Sequence, residues 1–222
     1  MPVLYSYKES GNSYKCRLLA AFLGVKLDIV EIDFLGDEQH GEDFLAINPK
    51  GEVPTLVDGD TVLTDSAAIL VYLAGNTTLN NNSTTWWSSD IAEQSQITEW
   101  LAFAASWVQY GVFTARAILS FGGPYNGIGT ASTEQTLKES QIRGVKSLEI
   151  LNKRLSQREW LTLERPTIAD IAVFVYVALA PMGDVSLEPF LHVRQWIKRL
   201  EGLPGFIPID GLDDPLYRRK NE

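Results

Sequence analysis

Residues 76–85, Asn-Thr-Thr-Leu-Asn-Asn-Asn-Ser-Thr-Thr, carry a single apolar side chain and split the chain into two stretches of different periodicity. A tract this polar cannot bury enough surface to offset the entropy of ordering it, so it reads as a linker. Upstream, short runs of β-formers alternate with turn signals and amphipathic helix. Downstream, apolar side chains recur at helical spacing over long windows. The expected organisation is therefore a domain at 1–76, a linker at 77–85 and a second domain at 86–222.

The first stretch opens with Val3 to Tyr7, a short strand pattern, followed by the turn Glu9-Ser10-Gly11-Asn12. Ser13 is placed to cap a helix that carries Leu18, Leu19, Phe22 and Leu23 and ends at Gly24. Leu27 to Phe34 reads as a second strand. Asn48-Pro49-Lys50-Gly51 is turn chemistry. Thr55 to Val57 and Val62 to Leu63 are strands joined by Asp58-Gly59-Asp60, a tight hairpin signal. Asp65-Ser66 then starts a helix closed by Gly75. The order β-α-β, β-β-α is that of the thioredoxin fold.

The second stretch reads as all α. Residues 86–120 form a long helical pattern with Trp100, Leu101, Ala104 and Trp107 on one stripe. A glycine-rich loop, Gly122-Gly-Pro-Tyr-Asn-Gly127, leads to a helix at about 132–157. Thr167 to Ala180 is apolar nearly all round, as a buried central helix must be. Pro189 to Leu200 is a final amphipathic helix.

Composition narrows the function. A net charge of −9 over 222 residues disfavours nucleic acid, whose phosphates need clustered Lys and Arg. The longest apolar run, Ile171 to Met182, is 12 residues, too short to span a bilayer. The opening residues show neither a basic leader nor an apolar signal core, so the chain reads as cytoplasmic. A single cysteine, Cys16, leaves no internal disulfide and no cysteine-based metal cage. Sequons start at Asn76, Asn81 and Asn82, and matter only to a secreted chain. No metal is expected. His40 and His192 lack paired spacing, and no Gly-x-Ser-x-Gly elbow is present. Ser10-Gly-Asn-Ser13, at a strand-to-helix junction, sets hydroxyls against the positive end of a helix dipole, where an anion is stabilised. The same residues equally suit a turn and a cap.

Four segments together are more specific. Ser10-Gly-Asn-Ser-Tyr-Lys-Cys-Arg-Leu-Leu, Asn48-Pro-Lys-Gly-Glu-Val-Pro-Thr-Leu, Asp65-Ser-Ala-Ala-Ile and Pro166-Thr-Ile-Ala-Asp170 closely resemble glutathione transferases, in the family's order and spacing. The nearest look is to the serine-type classes. The resemblance implies a thioredoxin-like α/β N-terminal domain that binds glutathione, followed by an all-α helical domain. It places Ser10 where the hydroxyl donates to the glutathione sulfur, with Asn12 at a position that is catalytic or sulfur-contacting in some relatives. Val53-Pro54 matches a cis-proline signature whose Val53 main chain pairs with the cysteinyl part of glutathione. Asp65 and Ser66 match the pair that grips the γ-glutamyl end, and Gln39 and His40 align with contacts to the glycyl carboxylate. Thr167-x-x-Asp170 resembles a buried helix cap with a structural role. Trp107, Tyr110 and Phe113, at i, i+3 and i+6, lie on the helix that borders the electrophile pocket in the family, and as a plain pattern they equally suit core packing.

The implied activity is conjugation of the glutathione thiolate to a small hydrophobic electrophile, as in detoxification, by a homodimer that needs no metal. A glutathione-dependent disulfide reductase or peroxidase of the same fold is the alternative. A non-catalytic binding or scaffold protein is the third reading.

Overall fold

The computed structural model describes residues 1–34, 36–80, 86–123 and 131–219. Residues 81–85 of the expected linker, the sequons starting at Asn81 and Asn82, and the glycine-rich loop from Pro124 onward lie outside them. The chain forms two compact units: Met1–Ser88 with Pro204–Ile209, and Ser89–Leu203 with Asp210–Glu222.

The first unit contains β1 (Val3–Ser6), α1 (Gly11–Leu23), β2 (Asp28–Glu31), α2 (Glu42–Ile47), β3 (Thr55–Asp58), β4 (Thr61–Leu63) and α3 (Ser66–Gly75). The strands form one sheet in the order β2-β1-β3-β4. β1 and β2 run parallel, while β3 is antiparallel to both β1 and β4, with Tyr5 opposite Thr55 and Leu56 opposite Leu63. This is the thioredoxin-like arrangement, with α2 added after a 3-10 turn at Glu38–His40. Leu4 and Leu56 from the sheet, Leu18 and Leu19 from α1, and Ile69, Leu70 and Leu73 from α3 are fully buried. These apolar stripes drive the helices onto the sheet. Gly24 ends α1 in the left-handed region, φ 66°, with its N–H turned back to Ala20 and Ala21. Gly59, φ 59°, makes the expected hairpin between β3 and β4. The returning segment 204–209 is tied in where the Tyr14 hydroxyl donates to the Ile207 carbonyl at 2.6 Å. No local signal marked that return.

Ser13 does not cap α1. The helix starts earlier, with Ser10 as its cap: the Ser10 hydroxyl oxygen accepts from the Ser13 N–H at 3.2 Å. Ser13 is fully buried inside the first turn, its hydroxyl facing the Tyr7 N–H at 3.4 Å. Both serines have cap chemistry, and contact with the end of β1 decides between them.

The second unit is helical. α4 (Ile91–Phe103) is capped by the Asp90 carboxylate, continues through a π-helical segment (Ala104–Phe113) and ends in α5 (Thr114–Phe121). α6 (Glu134–Leu155), α7 (Ile168–Ala178) and α8 (Leu191–Glu201) follow. The first helix therefore begins at Ile91 rather than 86, and its centre departs from α geometry. Gly111 lies at φ −108°, ψ −109°, facing α6 so closely that a Cβ would come within 2.9 Å of the Gly144 Cα. All eleven residues of α7 are buried, in accord with its all-round apolar pattern. The helix opens on the expected capping box: the Thr167 hydroxyl accepts from Ala169 N–H, and the Asp170 carboxylate accepts from Thr167 N–H at 2.9 Å. Among the described residues, no helix is long and apolar enough to cross a membrane.

Candidate functional site

Topology gathers the candidate residues of the first unit at one edge of its sheet. β1 and β2 are parallel, so both finish at the same edge. β3 is antiparallel and starts there, and β4 runs back to end there. Four connections therefore meet at this edge: Tyr7–Ser10 into α1, the 38–40 turn after β2, the 48–54 loop before β3, and Thr64–Asp65 into α3.

The α1 entrance is built by capping. Ser10 Oγ accepts from Ser13 N–H, which leaves its hydroxyl proton without an acceptor among the described residues. The Gly11 and Asn12 N–H groups of the first turn are likewise unpartnered there, as helix starts dictate. Asn12 is half-buried, and its Oδ1 accepts from Lys15 Nζ at 2.9 Å. Arg17 braces the preceding loop, donating to the Ser6 hydroxyl, to Tyr7 O at 3.2 Å and to Lys8 O at 2.7 Å.

The Val53–Pro54 peptide bond is cis, as the signature implies. Fully buried Asn48 holds this loop together: its Nδ2 donates to Glu52 O at 2.7 Å and to Thr55 Oγ1 at 3.0 Å, and its Oδ1 accepts from Lys50 N–H. The Val53 N–H and C=O have no partner among the described residues, although the residue itself is 7% exposed. Gly51, φ 61°, lets the 38–40 turn close over the loop, since a Cβ there would stand 2.8 Å from His40 Cδ2. Gln39 is buried, with Nε2 on Asp37 Oδ1 at 3.0 Å and its Oε1 without a partner among the described residues. The His40 ring meets the same Asp37 oxygen at 2.7 Å.

At the α3 entrance, Asp65 is the cap. Its Oδ1 accepts from Ala67 N–H at 2.8 Å and from Ala68 N–H at 3.3 Å. Ser66 is nearly buried, and its N–H and hydroxyl have no partner among the described residues. The two helix entrances are electrostatically joined. Burial lowers Lys15 from 10.5 to about 8, while Cys16 and Asp65 pull it the other way. Cys16 is fully buried beside it, and burial raises its thiol to about 12. Such a thiol is a poor nucleophile and has no access to a bound disulfide. Among the described residues, no group of three or more His, Cys, Asp or Glu side chains is arranged to hold a metal.

The aromatic stripe of the helical unit divides. Phe113 is buried, edge-on to Tyr176 with ring centroids 4.6 Å apart. Trp107 and Tyr110 are exposed, and Trp107 stacks on Phe103. The spacing assumes α geometry, whereas the π-helical turn spreads the three side chains over a wider arc. Sequence reasoning missed Lys15, Arg17 and Asn48 as supports of the site. The available signal was position: Lys15 lies one turn after Asn12 and beside Cys16 on a face destined for the core, where a charge has to be held by partners.

The class defined by this geometry is a thioredoxin-like unit, with open backbone donors gathered at one edge of its sheet, joined to a helical unit. Residues 3–75 match the family described as glutathione S-transferase, N-terminal domain, and residues 106–204 match glutathione S-transferase, C-terminal domain. Protein URE2 of Meyerozyma guilliermondii is 34% identical, over 92% of this chain and 77% of the relative. Glutathione S-transferase GstA of Escherichia coli O157:H7 is 27% identical, over 89% and 92%. A crystal structure described as a possible glutathione S-transferase from Rhodopseudomonas palustris superposes with TM-score 0.81 at 32% identity, covering 94% of this chain and 98% of that one. The chain belongs to the glutathione S-transferase family.

Proposed function

We propose that the protein binds glutathione along the sheet edge and conjugates its thiolate to small hydrophobic electrophiles. One observation carries the reading: a Ser10 hydroxyl with an uncommitted proton, open N–H groups at Gly11 and Asn12, the unpaired Val53 main chain, and the Ser66 N–H and hydroxyl all belong to connections that converge on one edge. A peptide-like anion with a thiol in its middle finds matching partners there. Ser66 and the α3 start take the γ-glutamyl carboxylate, and Asp65, already a cap, has its second oxygen for the α-ammonium. Val53 pairs with the cysteinyl unit like an added strand. Gln39 and His40 take the glycyl end.

Ser10 and Asn12 then face the sulfur. A thiol near ~8.5 is about 3% ionised at neutral pH, and bringing it to ~6.5 needs roughly 2.7 kcal/mol of differential stabilisation. One charge-assisted hydrogen bond together with the helix dipole supplies about that much. Trp107 and Tyr110, which keep apolar surface exposed, are assigned to the electrophile side, while Phe113 packs inward on Tyr176. The working form is a cytoplasmic homodimer active in detoxification.

Calorimetry with glutathione, followed by a panel of electrophiles and small disulfides, tests the proposal. Millimolar or tighter binding, weakened severalfold in Asp65→Ala and Ser66→Ala, with activity toward electrophiles, is the expected result. Unchanged affinity in both folded variants overturns the binding assignment. Faster turnover of disulfides than of any electrophile replaces conjugation with reduction, and binding without turnover favours the scaffold reading. Burial of Cys16 argues against a mixed disulfide with this protein in the reductive route.

A further inference from the structure

Lys15 is only 6% exposed, carries a charge, and has no part in the chemistry described so far. Burying an ammonium is costly, and its geometry shows where it is directed. Its Nζ lies 2.9 Å from Asn12 Oδ1, three residues back on α1, and the Asp65 charge at the α3 start acts on it. An ammonium has donors only, so the Asn12 atom that meets it has to be the carbonyl oxygen. With that end of the amide held, the Nδ2 end is turned the other way, and it has no partner among the described residues.

We propose that Lys15 is a positioning residue for sulfur activation: by holding Asn12 Oδ1 it fixes the Asn12 amide with its NH2 group as the donor presented at the start of α1, beside Ser10. The inference rests on the reading that this entrance faces the glutathione sulfur. An amide free to flip can turn its oxygen to the sulfur, and an oxygen repels a thiolate where an N–H binds it. Locked by Lys15, Asn12 gives the site a second fixed donor without reorganisation when charge develops. At pH 7 a lysine at about 8 is mostly protonated, so the lock is charge-assisted. The Asp65 charge, which acts on Lys15, lies at the end of the site assigned to the γ-glutamyl group.

The test is a double-mutant cycle on the full chain, with Lys15→Met, Asn12→Ala and the double variant, read by thiolate absorbance of bound glutathione against pH. Lys15→Met should lower the thiolate fraction at pH 7 about threefold, and it should add nothing in the Asn12→Ala background, because its effect passes through that amide. An equal loss in both backgrounds means direct charge or packing and overturns the proposal, as does no loss in the wild-type background. Should Lys15→Met fail to fold, Asn12→Asp keeps the Lys15 contact and removes the donor. It has to lose thiolate at least as strongly as Asn12→Ala, and an unchanged titration overturns the proposal. A ligand-free measurement separates this inference from the glutathione reading. The Asn12 side-chain amide resonances, assigned by their loss in Asn12→Ala, should shift and lose exchange protection in Lys15→Met or, if that variant does not fold, in Lys15→Gln. Unmoved resonances overturn the lock whether or not glutathione binds.

Discussion

Replacing Asp170 by alanine removes a fully buried carboxylate from the start of α7. One oxygen accepts from Leu161 N–H at 3.1 Å and Trp196 Nε1–H at 3.0 Å, and the other from Thr167 N–H at 2.9 Å and the Thr167 hydroxyl at 3.3 Å. The hydroxyl keeps Thr162 as a neighbour, whereas the three N–H donors lose their acceptor. At about 2 kcal/mol for each stranded buried donor, the loss is roughly 6 kcal/mol. An offset comes from the charge. Burial raises Asp170 from 3.8 to about 6 against the pull of its hydrogen bonds, so holding it ionised at neutral pH costs about 3 kcal/mol. The net destabilisation is about 3 kcal/mol, or some 6–12 °C in Tm for a chain of this size. The pH dependence gives a second signature. A carboxyl whose folded pKa lies above its unfolded value contributes stability that is fully present below about 3.8 and lost as pH rises through about 6. Asp170→Ala lacks that slope, so its deficit should be about 1 kcal/mol larger at pH 5.5 than at pH 7.5. Differential scanning fluorimetry and urea titration at both pH values, alongside turnover per folded molecule, measure this. A variant melting within 2 °C of wild type by this scale, or one that keeps its stability and loses turnover, refutes a structural role for Asp170.

Three shorter predictions accompany it. Ser10→Ala should raise the thiol pKa of bound glutathione and cut turnover of an activated chloro-dinitrobenzene about 10- to 100-fold, the size of one charge-assisted hydrogen bond, with far smaller change in affinity. An unshifted thiolate titration removes Ser10 from its role. Gly111→Ala should cost about 1–3 kcal/mol, because the new methyl meets the Gly144 backbone, which cannot swing aside as a side chain would; wild-type urea stability would show that α6 is free to move away. Sedimentation should give twice the chain mass, and a species near 24.7 kDa at micromolar concentration refutes the homodimer.

Much of the first unit was legible because its signals are local. Gly24 and Gly59 stand where the chain needs a left-handed residue, and Asp65 precedes its helix with cap chemistry. The 167–180 pattern announced a buried helix for the same kind of reason, since a segment apolar on every side has nowhere to go but the interior. What local pattern left open was settled by contacts distant in sequence. The local pattern put the α1 cap on Ser13, but the end of β1 claims that hydroxyl and Ser10 caps the helix instead. The aromatic residues 107, 110 and 113 made one stripe on paper, and the π-helical turn sent Phe113 inward while Trp107 and Tyr110 stayed at the surface. Residues 204–209 joined the first unit through a contact spanning most of the chain. Lys15 reads in the sequence as an ordinary helix lysine. The fold buries it, with Asn12 as its hydrogen-bond partner and the Asp65 charge acting on it. Propensity, capping and periodicity act within a few residues and can be read along the chain. Burial and charge pairing belong to the folded volume, because the energy of a charge depends on which atoms replace its water.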